Sequence, residues 1–257
     1  MITTLFFDLD DTLLWDKKSI QQAFQATCKL AHEKHGLKQQ ALEDAVRGEA
    51  RKLYASYDTF EFTQMIGINP FEGLWGTFDD DHTSFRKMYE VIPTYRKQAW
   101  INGLTACGID DPDFGEQLAE QFIKERERHP YVYEETFSVL GKLKENYQLL
   151  LLTNGAPSLQ QKKLAITPEI KEYFNHILIS GDFGKGKPDP SIFEHALKLA
   201  NVKKEEVLMV GDNLMTDILG SNRAGIKNVW INREEKEMQE VIPTYEIKHL
   251  EELFELI

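Results

Sequence analysis

Residues 3–14 read TTLFFDLDDTLL. An apolar, aromatic-rich run ends in acids: Thr3 to Leu9 has the composition of a buried strand, and Asp8, Asp10, Asp11 and Thr12 gather where it stops. Similar short runs recur downstream as YQLLLLT (Tyr147 to Thr153), HILIS (His176 to Ser180), VLMVG (Val207 to Gly211) and NVWIN (Asn228 to Asn232). Helical patterns lie between the later ones, over Ser158 to Ala165, Pro190 to Ala200 and Asp217 to Ala224. Continuous apolar strands alternating with helices imply a parallel sheet covered on both faces. The expected fold class is α/β, with a doubly wound, Rossmann-like parallel sheet as its core.

The alternation fails between about Trp15 and Pro130. Ser19 to His35, Gln40 to Ser56, Phe85 to Ile101 and Asp113 to His129 all read as helices, the last with Asp113 as its expected N-cap. The organisation expected is an α/β domain from residues 1–15 and 130–257, with a helical domain, 16–129, inserted after the first strand and packed over it. The return point is open anywhere from Gly108 to Pro130. The hexapeptide EVIPTY occurs at Glu90 to Tyr95 and at Glu240 to Tyr245, but its neighbours differ, so it is not a repeat. The run KERERH, Lys124 to His129, reads as a solvated helix face.

Composition narrows the function. The chain has 257 residues, 42% hydrophobic and 28% charged, with a net charge of −12. That balance argues against nucleic acid or an anionic membrane as partner, and it requires a local cation if the substrate is an anion. The apolar run Leu149 to Leu152 is far too short to span a membrane, and MITTLFFDLDD lacks the basic start of a secretory signal. Cys28 and Cys107 stand far apart and are expected to be free, buried thiols in a cytoplasmic protein.

The polar residues at the strand ends carry the chemistry. After the later strands come Thr153, Asn154 and Gly155, then GKGKPDP (184–190), then Asp212, Asn213 and Asp217. Ligands of a doubly wound sheet bind outside the carboxyl ends of its strands, so these segments should meet on one rim. Each residue alone is an ordinary turn or cap residue; four such segments on one rim point to an active site. Side chains alternate along a strand, which lets Asp8 and Asp10 share a side. Of two such carboxylates, one can act as nucleophile and the other as general acid and base. With Asp212 the site is oxygen-only, which suits Mg²⁺. The Thr153 hydroxyl and Asn154 amide suit phosphate oxygens, and a lysine completes the charge balance. GDFGKGK (181–187) nearly spells a nucleotide-binding loop, but Pro188 offers neither hydroxyl nor N–H, so that reading fails.

Together FFDLDDTLL (6–14), LLTNG (151–155), KPDPSIF (187–193) and GDNLMTD (211–217) resemble the four motifs of the haloacid dehalogenase-like hydrolases, most of which are metal-dependent phosphatases. The resemblance covers roughly 1–15 and 130–257, and the helical insertion is similar to the cap of the family's first subclass. It implies that Asp8 is the nucleophile forming an aspartyl-phosphate. Asp10 then protonates the leaving alcohol and activates water. It implies further that Thr153, Asn154 and Lys187 hold the phosphoryl group. The implied Mg²⁺ ligands are Asp8, the Asp10 backbone carbonyl and Asp212, with Asp217 ordering a metal-bound water or Lys187. Between the two lysines of the loop, Lys187, fixed by Pro188, is expected in the site and Lys185 in solvent.

Family dehalogenases lack an acid at the position of Asp10, so an oxygen leaving group is expected. A phosphomutase uses the same acid pair, and a non-catalytic binding protein is the alternative from another class. The expected substrate is a small, soluble phosphomonoester, with O-phosphoserine first and nucleoside or sugar monophosphates as alternatives. Trp15, Lys18, Trp75, His82 and Arg86 are candidate substrate readers, although packing or solvated surface is the commoner reading of each.

Overall fold

The structure, a computed structural model, describes residues 1–237 and 240–257. It divides into two compact units, Met1–Trp15 with Val132–Ile257, and Asp16–Tyr131. In chain order β1 (Thr4–Phe7) precedes six helices: α1 (Asp16–His35), α2 (Gln39–Ser56), α3 (Phe60–Ile66), α4 (Pro70–Gly73), α5 (Thr83–Ala106) and α6 (Pro112–Arg128). Then come α7 (Thr136–Leu143), β2 (Gln148–Thr153), α8 (Pro157–Ile166), β3 (His176–Ile179), α9 (Ser180–Phe183) and α10 (Pro190–Ala200). The chain closes with β4 (Val207–Gly211), α11 (Leu219–Ala224), β5 (Lys227–Ile231) and β6 (Tyr245–Ile247).

The first unit is the expected α/β fold. Its six strands are all parallel, in the order β3-β2-β1-β4-β5-β6. Alternation of side chains builds a core on each face of the sheet. Leu5, Phe7, Leu149, Leu151, Leu208 and Val210 join one cluster, while Phe6, Leu150, Leu152, Val207 and Met209 join the other. Chain order reverses direction across β1, which lies between β2 and β4 and so delivers its carboxyl end to the switch point.

The helical unit has its own core. Phe24 of α1 lies 4.6 Å from Phe122 of α6 and 5.7 Å from Trp100 of α5, ring centre to ring centre. Arg47 of α2 covers the Phe24 ring at 4.3 Å. The cap of α6 is Asp111, whose side chain accepts from the Phe114 N–H at 3.1 Å; Pro112 takes the first helical turn, so Asp113 is not the cap. Nor is KERERH wholly a solvated face: Glu125 and Arg126 are buried. Arg126 bonds Ser19 and Asp16, at 2.6 Å to the Asp16 carboxylate, and stacks 4.5 Å above the ring of Trp75. Periodicity alone does not reveal an inward arginine whose charge is met by an acid almost the whole unit away in sequence. EVIPTY lies inside α5 at its first occurrence and in a loop running into β6 at its second. Cys28 is buried, Cys107 is half-buried, and both are free. Among the described residues no helix is long and apolar enough to cross a membrane.

Close approach of α5 and α2 depends on Gly103. A Cβ there would fall 2.4 Å from Val46 Cγ2 and 3.2 Å from the Val46 Cα. Gly103→Ala should therefore lower the unfolding free energy by about 1–2 kcal/mol in urea melts, despite alanine's better helix propensity. Val46→Ala in the same chain should recover part of that loss. A stabilised Gly103→Ala protein would contradict this packing.

Candidate active site

The loop after β1 is held from several sides. The Asp8 N–H continues the strand ladder to the Val210 carbonyl at 3.0 Å, and Leu13 and Leu14 both donate to the Leu9 carbonyl. Asp11 sits at φ +59°, which turns the chain sharply. The Thr12 hydroxyl accepts from the Asp212 N–H at 3.0 Å, and Trp230 Nε1 donates to the Asp212 carbonyl at 2.8 Å. The Asp212 backbone at the fourth strand end is thus held by the Thr12 hydroxyl and the Trp230 indole.

Lys187 is the cation beside Asp8, and it is 4% exposed. Its Nζ donates to Asp8 Oδ1 and to the Leu152 carbonyl, each at 2.7 Å, and lies 2.7 Å from Asp217 Oδ1. Asn154 places it: the Lys187 N–H donates to Asn154 Oδ1 at 2.8 Å, and Asn154 Nδ2 donates to the Lys187 carbonyl at 2.9 Å. This gives Asn154 a task that the motif did not reveal, since its amide clamps the lysine's backbone and keeps one further N–H. Lys185 instead pairs with Asp189 at the surface, 3.2 Å away. Asp189 caps α10 by accepting from the Ser191 N–H, with Pro190 in the first turn.

The carboxylates separate into two environments. Asp8, Asp212 and Asp217 each bring an oxygen within 4.8 Å of the others. Asp217 is buried, and its Oδ2 accepts from the Asn213 N–H at 3.1 Å. It approaches because residue 211 is glycine: a Cβ there would fall 2.3 Å from that oxygen. Burial pushes the Asp8 carboxyl up to about 6; Lys187 pulls it down and Asp217 raises it further. Burial alone would lower Lys187, yet Asp217 and Asp8 hold it well above the usual lysine value. The donor set is hard oxygen carrying more negative charge than one lysine balances, which fits a divalent cation such as Mg²⁺.

The carboxylate of Asp10 turns elsewhere. Its Oδ2 accepts from Lys163 Nζ at 2.9 Å and from Gln160 Nε2 at 3.0 Å. Gln160 Nε2 also donates to the Thr153 hydroxyl at 2.6 Å. Sequence reasoning missed Gln160 and Lys163, which read as ordinary polar residues of a short helix. The available signal was their spacing, three apart on α8, just after LLTNG.

Most of the candidate substrate readers have structural tasks. Trp75 is buried beneath Arg126. His82 caps α5 by accepting from the Ser84 N–H and stacks on Phe62. Arg86 pairs with Asp81 at the surface, and Lys18 covers the Tyr131 ring. Trp15 is half-exposed and stacks on Tyr133 at 5.2 Å.

The chain is similar to known proteins. Residues 2–225 match the haloacid dehalogenase-like hydrolase family. Phosphoserine phosphatase of Thermus thermophilus is 32% identical over 252 residues, spanning 97% of each chain. N-acylneuraminate-9-phosphatase of Rattus norvegicus is 28% identical over 238 residues, spanning 90% of this chain and 83% of that one. The crystal structure of the HAD-hydrolase YfnB of Bacillus subtilis bound to magnesium shares the fold, with a TM-score of 0.68 at 22% identity over 99% of this chain and 98% of that one.

The raised Asp8 has a consequence for stability. A carboxyl that holds its proton more tightly when folded favours the fold below pH about 3.8 and loses that advantage as pH climbs through about 6. At neutral pH in chelated buffer the ionised Asp8 therefore weighs against folding. Asp8→Asn should melt above wild type there, and the gap should shrink as pH falls below about 4. A variant that melts below wild type at neutral pH contradicts this reading of the site.

Proposed function

Because the chain belongs to the haloacid dehalogenase-like hydrolases, we propose that it is a Mg²⁺-dependent phosphatase of small, soluble phosphomonoesters, acting through an aspartyl-phosphate on Asp8. The observation that carries this reading is the division between the two acids of the first loop. Asp8 is dry and bonded to Lys187, while the Asp10 side chain is 25% exposed and held by Gln160 and Lys163. Two carboxylates in such different settings suit two roles, nucleophile and general acid-base.

An Asp8 carboxylate oxygen attacks phosphorus as the ester P–O bond breaks. Asp10 gives its proton to the departing alkoxide, which leaves as the alcohol. Water then attacks phosphorus, Asp10 takes its proton, and the bond to Asp8 breaks to release inorganic phosphate and restore both acids. Lys187 balances the charge gathering on Asp8 and the phosphoryl oxygens, and Asp217 and Asn154 hold it in place. Thr153 offers a hydroxyl and Asn154 its remaining N–H to the phosphoryl group. Asp8, Asp212 and the Asp10 backbone carbonyl would hold Mg²⁺, with Asp217 beside them; bound there, the ion would offset the phosphoryl negative charge.

Residues 1–15 and 130–257 carry the chemistry in this reading, and 16–129 read the substrate. The likeness to the Thermus thermophilus relative makes O-phosphoserine the first substrate to test, ahead of nucleoside and sugar monophosphates. Asp10 favours an ester over a halide, because halide leaves without a proton. The cytoplasm is the compartment we infer, in keeping with two free thiols.

The test is phosphate release from p-nitrophenyl phosphate. Wild type should release it with Mg²⁺ and not with chelator, and Asp8→Asn should release none. No release by wild type with Mg²⁺, or full activity in Asp8→Asn, would refute the reading. Lys187→Ala should lose about a hundredfold or more in kcat, whereas Lys185→Ala should stay near wild type; the reverse pattern would assign the wrong lysine.

A further inference from the structure

We propose that Gln160 and Lys163 are positioning residues that aim the general acid-base of this site. The inference rests on the phosphatase reading of Asp8 and Asp10. One face of α8 supplies both donors, one turn apart, and both converge on the same oxygen, Asp10 Oδ2, at 3.0 and 2.9 Å. Two donors on Oδ2 fix the plane and the direction of the carboxyl. Gln160 extends the same link to the Thr153 hydroxyl at 2.6 Å, so the acid and a phosphate-binding residue hang from one side chain.

The link is built from rigid parts. Gln160 is fully buried and Lys163 is 2% exposed. The Gln160 N–H bonds the Ala156 carbonyl at 2.9 Å, and the Lys163 carbonyl accepts from the Thr167 hydroxyl at 2.8 Å. Gly155 makes room for it: at φ +142°, a Cβ there would fall 2.9 Å from Gln160 Cδ. The last residue of LLTNG therefore serves the tether as well as the turn. A buried ion pair is by itself weak evidence of stabilisation, and a purely structural pair has no reason to share its acceptor with the catalytic proton carrier.

The experiment exploits the leaving group. p-Nitrophenolate departs with little help from an acid, whereas the alkoxide of benzyl phosphate, of similar bulk, needs a proton. kcat/KM, which reports the steps up to loss of the alcohol, is measured on both esters with Mg²⁺ for wild type, Lys163→Met, Lys163→Arg and Gln160→Leu. A mis-aimed Asp10 should cost benzyl phosphate about tenfold or more beyond the loss on p-nitrophenyl phosphate. The KM values should change little, and Lys163→Arg should recover part of the loss. Equal losses on both esters, with no recovery by arginine, would reduce the pair to packing and overturn the proposal. If Lys163→Met does not fold, the Gln160→Leu and Lys163→Arg ratios decide. A wild type inactive on both esters would bring down the phosphatase reading itself, whereas an active wild type with unchanged ratios in the variants would bring down this inference alone.

Discussion

The three strand ends depend on the buried ammonium group of Lys187. Lys187 Nζ reaches Asp8, Asp217 and the Leu152 carbonyl within 2.7 Å each, and each partner belongs to a different strand end. Without it, Asp8 and Asp217 would face each other as buried like charges, which a low-dielectric interior does not tolerate. The backbone beneath it is arranged to keep it there. Asn154 holds both polar groups of its main chain, Pro188 follows it, and α10 begins directly after, capped by Asp189. A cation fixed this firmly stabilises a concentration of negative charge that the chain, already at −12, could not otherwise sustain.

The parallel sheet makes the meeting possible. β1 lies between β2 and β4, so three strand ends deliver Asp8, Thr153 and Asp212 to one rim although the residues are far apart in sequence. The strands need be only four to six residues long, because leucines, phenylalanines and valines fill both faces and hold the backbone. Function then occupies the loops, where glycine allows what a side chain would block: Gly211 admits Asp217, and Gly155 admits Gln160. The helical unit obeys a separate logic, with its own aromatic core and a buried arginine paired across most of its length.

Much of this was legible in the sequence, for physical reasons. Strands β1 to β5 announced themselves because a strand buried on both faces reads as an unbroken apolar run. β6 did not: Tyr245–Ile247 is three residues long at the sheet edge, with a glutamate in the middle. α3 and α4 were too short for periodicity to register, and α7 lies in a stretch where no strand-like contrast marks its ends. The acids and Lys187 stood out because strand-end motifs are local. The partners of those residues were not local. That Asn154 also clamps a lysine stayed hidden, because nothing in LLTNG says that a backbone 33 residues onward will meet its amide. Gln160 and Lys163 looked like solvated helix residues because only the folded chain shows that Asp10 lies on their face.

The central claim is that Asp8 becomes phosphorylated. It is tested most directly by trapping the phosphoenzyme in Asp10→Asn, which can accept a phosphoryl group from p-nitrophenyl phosphate but lacks the base to hydrolyse it. After an acid quench, mass spectrometry of the digested protein should find one phosphoryl group, on the peptide that contains Asp8, and hydroxylamine should remove it. An unmodified peptide from a variant that still releases p-nitrophenol in a burst, or a phosphoryl group on any other residue, would contradict the account.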